Sequence, residues 1–526
     1  MNTKGSLPTV PDARLSRRAL SWLPLLLGAA CFTFVGWRFN VPFAAWLAPF
    51  FLIRFFRDRA RWTATLPAIL LLAVASFIQM NGGWDMDAWM AYTFAVLRPA
   101  AFLVALYADR ALVKRLPRAV ATLVYPAVYL VVDYGIAFTP LGSGMSLAAT
   151  QLGMPGVSGL ASITGIWGIG FLVGWTASVL NTMGDARTKA ATGDGGATGP
   201  TDSGRGAGAW PRGLAVAWVC VLTAVFAFGG ARAALARPSS PTVRVGAVTI
   251  NHVRDYWAWI DQSTPRELVA GYTAELTGME DSLFAQSERA AAAGAKIIFW
   301  SEGNGVIPEE QEAAFMTRAA NFARSHEVYF APAVVVLRYG QTISDNKVLM
   351  FAPDGRLAFT YVKTMSWYPT GSDGILKTVA TPYGRIGAAI CFDMDFPSFI
   401  HALGAARTDI VLVPAFDRER IRPYHTEVGL LRGIENGFSV VRMTNQGTSM
   451  AMDASGRVLA RQEFFETSDR LMLADVPTAR LPTLYAVLGE WFPWTVIALA
   501  VVLVVLGALS GRLSRQARAM PVSSTR

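Results

Sequence analysis

The sequence predicts a membrane-embedded helical bundle of about eight spans with one layered α/β domain inserted before the last span. Three observations lead there. The 526-residue chain is 53% hydrophobic and only 16% charged, where soluble chains carry about a quarter, and its mean hydropathy is +0.35. Apolar runs that reach or approach bilayer length recur eight times along it. One block, 241–482, has a different texture, with short β-branched runs alternating with helical spacing.

Seven apolar segments precede residue 240, at 20–37, 41–56, 64–80, 88–108, 119–140, 157–183 and 213–231, and the eighth is 491–510. The first follows "RLSRR" in the manner of a signal peptide. No clear small-residue cleavage site comes after it, so it is expected to stay as a span. Basic residues alternate between the loops. They crowd before span one (Arg14, Arg17, Arg18), between spans two and three (Arg54, Arg57, Arg59, Arg61), between four and five (Arg110, Lys114, Arg115, Arg118), between six and seven (Arg187, Lys189, Arg205, Arg212) and after span eight (Arg512, Arg515, Arg518). By the positive-inside rule both termini face the cytoplasm and 241–482 lies outside, in the periplasm of a Gram-negative cell. The expected location is the bacterial inner membrane. The net charge of +10 is explained by these loops, so no nucleic-acid partner is expected. The expected division is a seven-span domain over 1–240, an extracytoplasmic domain over 241–482, a C-terminal span over 488–511 and a cytoplasmic tail over 512–526. The Gly/Thr/Asp-rich stretch "TGDGGATGPTDSGRGAG" reads as a flexible linker.

Two of the three cysteines, Cys31 and Cys220, fall in apolar runs, which leaves Cys391 without a disulfide partner. The four histidines are scattered and no metal-ligand spacing is visible. Neither a metal nor a cofactor is expected.

Within 241–482 three reactive side chains each end a predicted strand: Glu302 after "AKIIFW", Lys363 after "LAFTYV", and Cys391 after "RIGAAI". A thiol is a useful nucleophile only as a thiolate. Convergence of the three strand ends lets Glu302 take the proton, while Lys363 and the Phe392 N–H hold thiolate and oxyanion. Neither His401 nor His425 has a context that marks a Cys–His pair. Taken singly, a lone cysteine after an apolar strand is a small buried hydrophobe, and a strand-end Glu or Lys is a solvated charge.

The joint pattern resembles the nitrilase superfamily and its Glu–Lys–Cys triad. The words that carry it are "FWSEGNGVIP" around Glu302, "DNKVLMFAPDGRLAFTYVKT" ending at Lys363, "YGRIGAAICFDMDFP" around Cys391, and "LLRGIENGFSVVRMTNQGTSMAMDASGRVLAR" with Asn445. Within that superfamily, a domain placed between the last two of eight spans is similar to the bacterial apolipoprotein N-acyltransferases, and "DYGIAFTPLGSGMSLAATQLGMPGVSGLASITGIWGIGFLVGWTASVLN" resembles their fifth and sixth spans. The resemblance covers nearly the whole chain. It implies an αββα sandwich, catalytic Glu302, Lys363 and Cys391, support from Phe392, Asp393 and Asn445, a membrane phospholipid as acyl donor and a diacylglyceryl lipoprotein as acceptor. The chain departs from the family at two places. Gly371 stands about where a supporting glutamate follows the lysine, with Asp373 nearby, and Cys391-Phe392-Asp393 replaces Cys-Tyr-Glu. "CFDMDFP" is closer to soluble amidases of the superfamily. The rival readings are therefore a membrane-bound amidase and a catalytically silent lipid- or lipoprotein-binding protein, the second opposed by the intact triad. Trp257 and Trp367 fall in predicted loops close to lipid and are candidates for lipid contact, with core packing the alternative. Inside the spans, Arg98 is expected to snorkel to an interface, and Asp133 is read equally as interfacial or as a functional polar contact.

Overall fold

The computed structural model describes residues 20–58, 64–80, 88–192, 212–236, 240–251, 265–341 and 345–519. Trp257 and most of the linker between spans six and seven lie outside the described residues. A helix falls on each apolar segment: α1 (Leu23–Thr33), α2 (Ala44–Asp58), α3 (Thr65–Met80), α4 (Ala88–Leu112), α5 (Val124–Ile136), α6 (Ile166–Thr192), α7 (Arg212–Leu235) and, after the soluble block, Trp491–Ala519. Among the described residues, four stretches are long and apolar enough to cross a membrane: Arg118–Ile136, Ile166–Ala186, Arg212–Leu235 and Trp491–Leu513. α1 and α3 are shorter apolar helices, and α2 and α4 carry Arg54, Arg57 and Arg98 within them.

The sixth segment starts later than its hydropathy predicts. Residues before Ile166 form two short helices, Pro155–Ser158 and Ala161–Thr164, that end at Gly165. Gly165 has φ +65°, a left-handed conformation that stops a helix and that glycine adopts without steric cost. The first short helix packs so tightly on α7 that a Cβ at Gly159 would come within 2.7 Å of the Gly229 backbone.

Arg98 does not snorkel. It is buried, donates to Gln79 Oε1 (2.6 Å) and to the Val35 carbonyl (2.8 Å), and lies over the Phe32 ring. A charge held this way ties α4 to the end of α1 instead of reaching for water. Asp133 is also buried and accepts from Ser146 Oγ at 2.6 Å.

The soluble block contains two sheets. The first has strand order β14-β1-β2-β4-β6-β5-β3, with β7 paired to β6. Its strands are β1 (Thr242–Val248), β2 (Ile297–Trp300), β3 (Gly305–Pro308), β4 (Tyr329–Ala331), β5 (Ala333–Leu337), β6 (Asp345–Phe351), β7 (Leu357–Val362) and β14 (Leu471–Pro477). The second has order β13-β12-β11-β10-β9-β8: β8 (Thr378–Thr381), β9 (Gly384–Ala388), β10 (Ile410–Phe416), β11 (Ser439–Asn445), β12 (Thr448–Met452) and β13 (Val458–Glu463). Alternate residues of both sheets meet in one apolar layer, with Val245, Ala247, Ile297 and Phe299 from the first against Ile386, Ala388, Leu412 and Val441 from the second. The other face of the first sheet is covered by α8 (Thr273–Ala292) and α9 (Glu312–His326), whose Leu283, Phe284, Phe315 and Phe322 pack on Ile298, Trp300 and Phe330. The far face of the second sheet is covered by α10 (Pro397–Ala405) and α11 (Tyr424–Asn436). The result is the α/β nitrilase-type sandwich.

The α10–α11 layer is itself covered by the membrane helices. One apolar cluster runs from Val411, Val440, Leu430 and Ile434 to Val124, Trp167, Val496 and Leu503. Every residue of α11 except Glu427 is buried, so its polar members, His425, Arg432, Glu435 and Asn436, must find partners inside the protein. Polar contacts lock the junction. The Ile166 N–H donates to Glu435 Oε1 (2.8 Å), Trp167 Nε1 to Glu490 Oε2 (2.7 Å) and Trp491 Nε1 to the Ile163 carbonyl (2.9 Å). Burial, opposed by Arg432, pushes the Glu435 carboxyl up to about 7. A loop after α5 also reaches the sandwich: the Ser143 N–H donates to the Asp395 carbonyl (2.7 Å) and Tyr424 Oη to the Gly144 carbonyl (2.6 Å). Gly142, at φ +58°, passes so near Asp395 that a Cβ there would lie 2.9 Å from its backbone oxygen.

Candidate active site

Glu302 follows β2, Lys363 is the residue after β7, and Cys391 comes three residues after the end of β9. The first two follow strands of the first sheet and the third follows a strand of the second, so the site forms where strand ends of the two sheets meet. All three are nearly shut from solvent: Glu302 is 1% and Cys391 5% exposed, and the Lys363 side chain 12%. Lys363 Nζ donates to Glu302 Oε1 at 2.7 Å, and Asn346 Nδ2, on β6, donates to the same oxygen at 2.7 Å. Among the described residues, Oε2 of Glu302 has no hydrogen-bond partner. Burial pulls the Lys363 ammonium down, but the charges of Glu302 and Cys391 raise it further, so it stays charged. Burial and the Glu302 charge push the Cys391 thiol well up, against the pull of Lys363 and Arg442. The resting thiol is therefore protonated and needs a base.

Cys391 has φ +46°, a left-handed conformation that is strained for a side chain with a Cβ. It opens the turn Cys391–Asp395 at the end of β9. Asp393 fastens that turn, accepting from the Ile390 N–H (2.8 Å), Tyr361 Oη (2.6 Å) and the Met365 N–H (2.7 Å). It thus binds the cysteine turn to the strand and loop that carry Lys363. Burial raises the Asp393 carboxyl to about 6 against those three bonds. Its place is that of a strut, not of an oxyanion donor.

The other sequence candidates fall as follows. Asn445 Nδ2 donates to Thr249 Oγ1 (3.2 Å) and the Ile250 carbonyl (2.9 Å), so its amide donors join β11 to the end of β1. Phe392 stacks on Trp367, with ring centroids 5.7 Å apart, and Trp367 is 38% exposed. The two rings form an apolar wall beside Cys391. Asp373 does not reach Lys363; it pairs with Lys377 at the surface. The polar partner beside the Glu302–Lys363 pair is Asn346, from "DNK", where sequence reading looked only after the lysine.

Sequence reading also missed a second charged group around the sulfur. His425, on α11, lies with Nδ1 2.6 Å from Asp417 Oδ1 and Nε2 3.0 Å from Asp395 Oδ1. Arg442, on β11, places Nη2 3.0 Å from the same Asp417 oxygen and 3.9 Å from Cys391 Sγ. All four are buried. By atom type Cys391, Asp417 and His425 are a possible metal-ligand set, their donor atoms lying within 4.8 Å of one another. The guanidinium of Arg442 contacts each of them, with Nη2 3.1 Å from His425 Nδ1, so the space carries its own cation and does not fit a divalent ion. Burial lowers the imidazole's proton affinity, but Asp417 and then Asp395 raise it more, to about 9. Asp417 is raised by burial and lowered more by Arg442 and His425, to about 2.

A pH test follows. His425 has a folded value above its ordinary 6.5, so its contribution to stability is fully present below 6.5 and lost as pH rises through about 9. Thermal melts of wild type in detergent should fall across that window. His425→Gln should lose much of that slope, and an unchanged slope would show that the imidazole is not held charged.

Residues 244–484 match the carbon-nitrogen hydrolase family, and this part of the chain, with its two-sheet sandwich and strand-end site, is similar to that family. Over more of its length the chain is similar to apolipoprotein N-acyltransferases. It is 23% identical to one from Geobacter metallireducens over 73% of each chain. It is 32% identical to one from Gloeobacter violaceus over 26% of each, so this match spans about a quarter of that relative's length. A human deaminated glutathione amidase is 37% identical over 16% of this chain and 29% of its own.

Proposed function

We propose that the protein is a multi-pass N-acyltransferase that moves an acyl chain from a membrane phospholipid, through a thioester on Cys391, to the N-terminal amine of a diacylglyceryl lipoprotein. The observation that carries the reading is the Glu302–Lys363 pair set against the strained Cys391 turn, in a domain whose inner helix layer is buried against membrane helices. The similarity to apolipoprotein N-acyltransferases supports donor and acceptor classes.

In this reading Glu302 Oε2 takes the Cys391 proton and the thiolate attacks the ester carbonyl. Lys363 Nζ and the Phe392 N–H hold the oxyanion. Collapse breaks the ester C–O bond, and Glu302 returns the proton to the departing lysophospholipid alkoxide. The lipoprotein amine then attacks the thioester, Glu302 takes its proton, and the sulfur leaves as the thiol on recovering it. Trp367 and Phe392 line the approach of the acyl chain. Anchoring among the eight proposed spans holds the enzyme in the plane of both lipids, so encounter is two-dimensional.

The functional test supplies phospholipid and a diacylated lipopeptide. A free N-terminus should yield a triacylated product; an N-acetylated one, lacking an amine lone pair, should not. Release of free fatty acid with no lipopeptide acylation would favour the second reading, a membrane-bound amidase in which water resolves the thioester. The local likeness to the glutathione-type amidase supports that alternative.

Topology is tested separately. We place 241–482 in the periplasm and both termini inside. A reporter active only in the periplasm should therefore be on when fused after Ser344 and off after Gly204. The reverse pattern would overturn the orientation.

A further inference from the structure

We propose that Arg442 is a second catalytic cation of this site: its guanidinium stabilises the Cys391 thiolate alongside Lys363, and the Asp417–His425–Asp395 group holds it there. This rests on Cys391 being the nucleophile.

The argument begins with the strand. Along β11, Val441 and Met443 point into the layer between the sheets. Arg442 between them must then point to the other face, under the cysteine turn and α11. An arginine wholly enclosed there is costly unless it is paired. One carboxylate, Asp417 Oδ1 at 3.0 Å, meets that need. Two of the guanidinium donors reach the cysteine turn: Nη1 lies 3.5 Å from the Cys391 carbonyl and Nη2 3.9 Å from its sulfur, while the buried Nε has no hydrogen-bond partner among the described residues. The carbonyl contact holds the turn, and the Nη2 contact sets positive charge against the reacting sulfur.

Lys363 alone is a weak counter-charge for the thiolate, because it is already bonded to Glu302. The sulfur donates to the Phe416 carbonyl at 3.5 Å, a partner that favours the thiol. A second positive group at the sulfur offsets both. Its position is set through a chain of contacts. Asp417 takes Arg442 and His425 on one oxygen. With its ring protonated, His425 donates from Nδ1 to Asp417 and from Nε2 to Asp395. Asp395 is held in turn by the Ser143 N–H of the membrane loop. His425 and Asp395 are thus positioning residues, and the loop after α5 fixes their outer end.

The test measures alkylation of Cys391 by iodoacetamide against pH, read by intact mass on the full chain in detergent, which needs no substrate and no turnover. The charged groups facing the sulfur are Glu302, Lys363, Arg442 and Asp417. Arg442→Met removes the attraction and should move the alkylation midpoint up by about one unit or more, roughly a tenfold loss of rate at a fixed pH below it. A merely structural arginine predicts no shift. Because Arg442→Met strands Asp417, Arg442→Gln, whose amide can still donate to Asp417, is the second variant: it should raise the midpoint as Met does, while Arg442→Lys, which keeps the cation, should hold it near wild type. A wild-type midpoint in folded Arg442→Met or Arg442→Gln overturns the proposal. Turnover of the same variants separates it from the acyltransfer reading. If Cys391→Ser still turns over, that reading fails whatever the alkylation midpoints show.

Discussion

Cys391→Ser and Cys391→Ala are expected to lower acyl transfer by roughly 10⁴-fold or more, the scale seen when a covalent nucleophile is removed from its triad. Both proteins should remain in the membrane at wild-type levels. Serine is nearly isosteric, and the Phe416 carbonyl that accepts from the sulfur can accept from a hydroxyl. A purely structural thiol would tolerate that exchange at a cost below about 1.5 kcal/mol and keep its activity. In the proposed mechanism serine fails as a nucleophile, because its hydroxyl is far less acidic than the thiol that Glu302 is proposed to deprotonate. Activity measured beside a folding control, such as the melting temperature in detergent, distinguishes loss of chemistry from loss of protein. Wild-type turnover in Cys391→Ser would remove the nucleophile from the account.

Glu302→Gln is expected to cost about 10²- to 10⁴-fold, the range for a positioned general base, and to slow both half-reactions. The amide keeps the shape and can still accept from Lys363 and Asn346, so the fold should hold. What it loses is the proposed proton acceptor for the thiol and for the incoming amine. It also removes the largest influence raising Lys363, so the ammonium is left against burial with less support. Single-turnover kinetics should show slow formation of the acyl-enzyme and, once formed, slow discharge. A variant slowed in only one step would assign the other proton to a different group.

The nitrilase-type sandwich and three strand-end residues were legible because they leave local marks. Short β-branched runs end in a charge or a thiol, and "GRIGAAICFDMDFP" joins strand to turn without a gap. The Arg442 cluster leaves none. Its members come from the cysteine turn, β10, α11 and β11, with Arg442 51 positions from Cys391 and His425 30 from Asp395. Only the parallel pairing of β10 with β9 and β11 brings them together. His425 was set aside for lack of a sequence context, and that context is spatial. Asp373 was plausible by position along the chain, yet a turn at the surface holds it with Lys377, while Asn346 reaches Glu302 from the neighbouring strand. The start of α6 was misplaced because hydropathy runs on through Gly165, whose left-handed backbone breaks the helix regardless. Arg98 was misjudged because burial between α1 and α4 supplies the partners that an isolated helix lacks.

The central claim is that Cys391 carries the acyl group in a site from which water is kept. Intact mass spectrometry of the purified full-length enzyme, incubated with phospholipid and no lipopeptide, tests it most directly. The account predicts a stable mass increase of one acyl chain, located to Cys391 by peptide mapping, removed by hydroxylamine and discharged by a lipopeptide with a free amine. An unmodified Cys391 in enzyme that still converts phospholipid and lipopeptide to a triacylated product would contradict it.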